Sequence, residues 1–291
     1  MFDGWSHDMG LIGLWAALAI WLALWAVNTG LARSRWNRAR GVRILVPVLF
    51  GVAILVLWQG IVTHFEVSPV ILPSPSAIAA RFAAETLTLW EDFRQTVLKG
   101  ALSGYLIGCS AAFGVAILID RSPFLTRGLL PIGNFVAALP IVGIAPILVA
   151  WFGFDWQSKA AVVVVMVFFP MLVNTVQGLA EAGAMQKDLM RTYAAGYWAT
   201  LLKLRLPASM PFIFNGLKIC TTLALIGAIV AEYFGSPTRG MGFRISTGVG
   251  SLSIDLVWAE IAVAAITGSL AYGLVASAER RVTFWHPSQR H

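Results

Sequence analysis

Long apolar runs separated by short polar gaps dominate the chain. Five runs hold no charged residue: 11–31, 44–63, 100–119, 128–154 and 160–180. Two more are less clean. The run 211–234 contains Lys218 and Glu232, and 256–278 contains Glu260 near its start. Unpaired backbone amides are costly in hydrocarbon, so about 20 apolar residues in a row form a helix crossing about 30 Å of lipid. Charged side chains near a helix end can reach back to the interface, so all seven runs are read as spans. The pattern predicts an all-α polytopic membrane bundle.

Between the second and third runs lies a long segment, 64–99. It opens on Leu72-Pro73-Ser74-Pro75-Ser76, where two prolines favour an extended turn. Ser74 or Ser76 is placed to cap a surface helix over 77–89, and the segment is expected outside the membrane. Gly104 and Gly108 form a G-x-x-x-G pair suited to close helix packing. Prolines at Pro131, Pro140, Pro146 and Pro170 interrupt the fourth and fifth runs, as in broken helices beside a pathway.

Composition agrees with this pattern. Of the 291 residues 58% are apolar and only 12% charged, with a mean hydropathy of +0.77; a soluble domain carries about 25% charged residues. The net charge of +7 falls in the gaps between runs, which reads as a topology signal and argues against nucleic acid as a partner. Cys109 and Cys220 stand alone in apolar stretches, with no C-x-x-C pair to suggest zinc or a disulfide framework. No Lys or Arg precedes the first run, so a cleaved leader is not indicated. It reads as a retained span.

Cation placement sets the expected orientation. With the N-terminus outside, the inner segments hold Arg33, Arg35, Arg38, Arg40, Arg43, Arg121, Arg127, Lys187, Arg191, Lys203, Arg205, Arg280, Arg281 and Arg290, 14 of the 21 cations. The C-terminus is then cytoplasmic.

The inner segment 181–210 has a pattern of its own. Leu189, Tyr193, Tyr197 and Leu201 recur every four residues, a helical face. Ala194-Ala195-Gly196 in its middle permits a sharp bend. Pro207 is expected to end the segment and Pro211 to begin the sixth span. Asp188 is mixed with the cations, so docking into a partner groove fits better than lying on lipid.

At this point a resemblance appears. Asp188-Leu189-Met190-Arg191-Thr192-Tyr193-Ala194-Ala195-Gly196, followed by Leu204-Arg205-Leu206-Pro207, resembles the EAA loop of binding-protein-dependent ABC importer permeases. That pattern reads Glu-Ala-Ala, three residues, Gly, and a proline thirteen residues on. Here Asp188 stands for the glutamate, Leu189 and Met190 for the alanines, and Ala194 for the glycine. Ala138-Leu139-Pro140, Trp151-Phe152-Gly153, Phe168-Phe169-Pro170 and Ala231-Glu232-Tyr233-Phe234-Gly235 are similar to the nitrate/sulfonate/taurine branch. The resemblance runs from about residue 47 to 287. It implies a six-helix permease core plus one extra N-terminal helix, with a boundary between 1–42 and 43–291. It also implies a second permease copy, a cytoplasmic ATPase that hydrolyses the ATP, an external binding protein and a bacterial inner membrane. Carried onto this chain, the coupling positions are Asp188, Ala194, Ala195, Gly196, Leu206 and Pro207. The substrate-contacting residues are left open. Stretches such as Met241-Gly242-Phe243-Arg244 look most like members associated with pyrimidine-type vitamin precursors or riboflavin; nitrate, sulfonate and taurine are the alternatives within the family.

Two other classes compete. An ion-coupled secondary transporter needs ionisable groups deep in the membrane; none falls inside the first five runs, and Glu232 and Glu260 lie toward the outer ends of theirs. A membrane enzyme finds little support. His64-x-Glu66 has no Pro-Cys-x-x-Cys after it, His286 sits in the tail, and no H-E-x-x-H or G-x-S-x-G occurs. No metal or cofactor is expected, and with no G-x-x-x-x-G-K-[ST] the chain needs a separate ATPase.

Overall fold

A computed structural model of the chain describes residues 4–34, 39–122, 139–235 and 238–285, together with 124, 128, 133 and 136. Every regular element among them is helical. Six helical stretches are long and apolar enough to cross a membrane: Trp15–Arg33, Gly41–His64, Thr86–Arg121, Trp156–Ala180, Tyr197–Gly235 and Ile254–Val282. The expected fourth span, 128–154, is represented by the shorter apolar helix Ile141–Phe152; most of 128–138, including Pro131 and Ala138, lies outside the described residues. So do Arg35, Arg38, Arg127, His286 and Arg290.

Two compact units emerge. The first comprises Met1–Thr86 with Gly248–Ala259. Its helices α1 (Gly4–Arg33) and α2 (Arg40–His64) lie side by side, with Gly60 facing Ala17. α3 (Pro75–Ala84) starts where the prolines demand: Ser74 Oγ accepts the Ala77 amide at 3.3 Å, the cap anticipated from sequence. Trp58 meets Trp258 edge-on at 5.0 Å.

The second unit, Leu87–Thr247 with Glu260–His291, holds the main core. α4 (Thr86–Phe93), a π-helical stretch (Arg94–Ala101) and α5 (Leu102–Arg121) run on as one rod. This corrects the sequence reading. The surface helix ends at Ala84 rather than 89, and residues 86–99 form helical turns continuous with the third span. α6 (Ile141–Phe152) follows, then a turn at Gly153, whose φ of +82° disfavours any residue with a Cβ. α7 (Trp156–Ala180) packs on α5. A Cβ at Gly104 would stand 2.8 Å from the Ala160 carbonyl, so the G-x-x-x-G pair does serve close approach. Beyond α8 (Ala184–Thr192) and the short α9 (Tyr197–Thr200), a π-helical turn (Leu201–Arg205) leads into α10 (Leu206–Gly235). α11 (Met241–Gly250) and α12 (Ile254–Val282) complete the chain.

The core is made of small residues. Ala112 and Ala116 of α5, Val163 and Val167 of α7 and Cys220, Ala224 and Ala228 of α10 are all buried. Short side chains let backbones approach, and packing rather than hydrophobicity drives association in lipid. Both cysteines are buried and free, and Cys220 Sγ lies 3.3 Å from the Val167 carbonyl oxygen. Leu106, Leu118, Ile147 and Leu270 point outward, as lipid-facing positions do.

Candidate functional site

The segment 181–210 is not one amphipathic helix. α8 ends at Thr192, the chain turns through 193–196, and helix resumes at Tyr197. The bend falls on Ala194-Ala195-Gly196 as the small side chains suggest. Ala194 has φ +52° and its amide donates to the Arg191 carbonyl. Pro207 does not terminate anything: helix runs unbroken from Tyr197 to Gly235. An α-helical proline ring meets the carbonyl four residues back, here Lys203. The π turn over Leu201–Arg205 widens the helix just there.

Four of the six expected coupling residues lie in the projecting part. Asp188 is exposed and pairs with Arg191 at 3.2 Å; Ala194 and Gly196 are exposed, and Ala195 is half-buried. Leu206 and Pro207 belong to the first turn of α10, where Leu206 packs on the core and Pro207 stays exposed. No residue of α8 is buried. Met185, Leu189 and Tyr193 are 86%, 56% and 77% exposed, an unpartnered apolar patch.

Sequence reasoning missed what anchors this loop. Asp120, at the end of α5, accepts both nitrogens of the Arg205 fork, at 2.7 and 2.5 Å, and the Tyr197 hydroxyl at 2.9 Å. Arg205 Nε donates to the Leu179 carbonyl at the end of α7, satisfying one of that helix's free acceptors. Arg121 sits over the Tyr197 and Trp198 rings at 5.1 and 5.6 Å. In the sequence, Asp120 and Arg205 are only charges bounding apolar runs.

A second polar centre joins the opposite ends of the same helices. Asp92 of α4 is fully buried; its Oδ1 accepts the Gly240 amide at 2.7 Å and its Oδ2 accepts Arg244 Nε at 2.8 Å. Thr96 donates to Glu232 Oε2 at 2.6 Å and accepts the Met241 amide at 2.8 Å. Glu232 Oε2 also accepts the Gly242 amide at 3.1 Å. Three successive amides at the start of α11 thus meet three side chains, two of them acidic, as a helix N-terminus favours. Gly240 has φ +119°, and a Cβ there would strike the Glu232 carboxyl group. Lys159 of α7 is equally buried. Its Nζ donates to the Phe154 carbonyl at 2.5 Å and to the Gly235 carbonyl at 2.6 Å, closing the end of α10.

The expectation that ionisable groups are nearly absent from the bundle therefore needs correction. Asp92, Lys159, Glu232 and Glu260 are all buried, and Lys218 pairs with Glu279 at 2.8 Å. Lys159 directly precedes the run 160–180 and Asp92 lies ahead of the run 100–119, so the apolar pattern alone leaves both outside. Asp92, Lys159 and one oxygen of Glu232 meet helix ends and loop amides, whereas Glu232 Oε1 and both oxygens of Glu260 find no hydrogen-bond partner. No group of three or more metal-ligating side chains exists among the described residues.

Comparison with known proteins accounts for this architecture. Residues 104–284 match the model of the binding-protein-dependent transport system inner membrane component family. A probable ABC transporter permease protein of Haemophilus influenzae is 32% identical over 76% of this chain and 90% of its own length. The formylaminopyrimidine transport permease protein of Halalkalibacterium halodurans is 30% identical over 86% and 99%. A putative aliphatic sulfonates transport permease protein of Bacillus subtilis is 28% identical over 90% and 93%. The helical spans and these matches agree, and the chain belongs to the binding-protein-dependent inner membrane components, the permease subunits of ABC importers.

Proposed function

We propose that the chain forms the translocation path for a small organic solute and that segment 181–210 is the lever on which a separate ATPase acts. The observation that carries this reading is α8: an element with no buried residue that presents Met185, Leu189 and Tyr193 beside a fixed turn. An apolar helical face of this kind suits a groove on a partner. ATP is bound and hydrolysed by that partner, because the chain has no phosphate-cradling motif. Two copies of the chain pair in the inner membrane, with the N-terminus outside and the cation-rich loops inside. An external binding protein delivers the solute.

For the solute, a pyrimidine-type vitamin precursor is the reading we favour, riboflavin the next. Similarity to the formylaminopyrimidine permease extends over 99% of that protein, and a riboflavin permease protein of Chloroflexus aurantiacus is 29% identical over 94% of its length. Titrating the cognate binding protein with formylaminopyrimidine, riboflavin and taurine decides among them; tight binding of taurine alone would overturn this choice.

The lever is tested at the bend. Ala194→Asp and deletion of residues 194–196 are expected to abolish transport and ATPase co-purification while membrane insertion persists. Asp tolerates the left-handed conformation of Ala194, so the loss would report the altered surface rather than backbone strain. Undiminished co-purification would refute the docking role.

A further inference from the structure

We propose that Asp120 is the fulcrum of the lever: a positioning residue that makes movement of the loop move the cytoplasmic ends of three membrane helices together. The inference rests on the docking reading of segment 181–210.

A docked loop does work on the bundle only if force passes through its base. α8 supplies no path of its own, since its side chains make contacts within the loop, such as Arg191 with Asp188 and Gln186 with Gly183, or reach only as far as the Ala180 carbonyl. What lies beyond the bend is different. Tyr197 stands at the start of the resumed helix and Arg205 two turns later, and both converge on the one carboxylate of Asp120. Through Asp120 they hold α5. Through its remaining nitrogen, Arg205 holds the last turn of α7. Arg205 is itself continuous with α10. One carboxylate and one guanidinium therefore tie α5, α7 and α10 at a single point.

The chemistry suits a joint that carries load. A planar guanidinium on a carboxylate makes two parallel charge-assisted bonds, which fix angle as well as distance. The two side chains are 16% and 14% exposed, so salt screens them little. The π turn that precedes Pro207 ends at Arg205, placing the joint where the helical ladder is least regular.

The experiment uses the complete importer, permease with its ATPase and binding protein, in vesicles. Solute moved per ATP hydrolysed is the readout, because a residue needed only for folding would lower both quantities together. Asp120→Asn keeps the size of the side chain and removes its charge. It is expected to bind the ATPase as the unmodified protein does and to hydrolyse ATP, with the transport ratio down about tenfold, within the range usual for coupling between sites. Asp120→Glu, which keeps the carboxylate that Tyr197 and Arg205 share, is expected to retain most of that ratio. A normal ratio in Asp120→Asn overturns the proposal, as does a loss in Asp120→Glu as large as that in Asp120→Asn, or loss of ATPase binding. Where Asp120→Asn does not accumulate, Arg205→Lys is read in the same way: it keeps the charge without the fork, and an unchanged ratio would overturn the idea. Failure of the unmodified permease to bind the ATPase would instead sink the docking reading and leave a different signature.

Discussion

α5 with the turns before it, α7 and α10 are tied by polar groups at both ends, and the two ends differ in kind. At one end Asp92, Lys159 and Glu232 are at most 1% exposed, and their bonds close over the start of α11 and the end of α10. At the other, about 40 Å along the helix at 1.5 Å per residue, Asp120 and Arg205 are partly open, and a loop projects beyond them with its apolar face bare. Removing one partner of a buried charge is costly, so the closed end tolerates little change of partner. The loop end is held at Asp120 and leaves its surface exposed, open to a partner on the reading proposed above. The same helices thus have a closed end and an open one.

The largest effect should come from breaking the closed end. Asp92→Ala removes the acceptor of the buried Gly240 amide and a charged partner of Arg244. An unsatisfied buried amide together with a broken charged pair costs about 3 kcal/mol or more, a large share of the stability of an ordinary domain. Detergent-solubilised protein should show a fall in melting temperature and a poor yield. A variant as stable as the parent would mean that the two ends do not differ as argued.

The loop end should respond in the opposite manner. Leu189→Asp together with Tyr193→Asp touches no buried group, so the melting temperature should hold. ATPase binding should weaken by about 2 kcal/mol or more, roughly thirtyfold, the loss typical when apolar anchors at an interface are replaced. Quantitative co-purification against ATPase concentration measures it. Destabilisation without loss of binding would reverse the assignment of the two regions.

Between these extremes lies the Lys218–Glu279 pair, 2.8 Å apart with side chains 18% and 11% exposed. Glu279→Gln keeps a hydrogen-bond acceptor and removes the charge, so about 1–2 kcal/mol of stability should be lost. Its melting shift should fall between those of the closed-end and loop variants. A shift equal to that of Asp92→Ala would show that the closed end is no costlier to break than this pair.

How much of this was legible beforehand follows from the range of the interactions. Local signals were readable: the Ser74 cap and the bend at 194–196 each depend on neighbours a few residues away, while the G-x-x-x-G pair signals close packing without naming the helix it meets. The helical spans were readable because lipid imposes one rule on every backbone amide. The polar centres were not. Thr96 meets Met241 across 145 residues and Asp120 meets Arg205 across 85, and periodicity carries no information about which distant charge finds which. Prolines misled for a related reason: a π turn before Pro207 let the helix continue where the residue alone signals a stop.

The smallest effect concerns one of the places where the loop departs from the pattern it resembles. The pattern that the loop resembles has glycine at the position of Ala194, and Ala194 adopts φ +52°. An L-residue there is strained by about 1–2 kcal/mol, since Cβ crowds the following carbonyl. Glycine relieves that crowding but brings a more flexible unfolded chain, which returns about 0.5–1 kcal/mol. Ala194→Gly should therefore stabilise the bend by about 0.5–1 kcal/mol. Hydrogen exchange of the amides of Ala195 and Tyr193, which bond to the Met190 and Leu189 carbonyls, should slow about two- to fivefold. The closed end, at the far end of α10, should exchange as before. Faster exchange at these amides would mean that the alanine, by restricting the unfolded loop, contributes more than its strain removes.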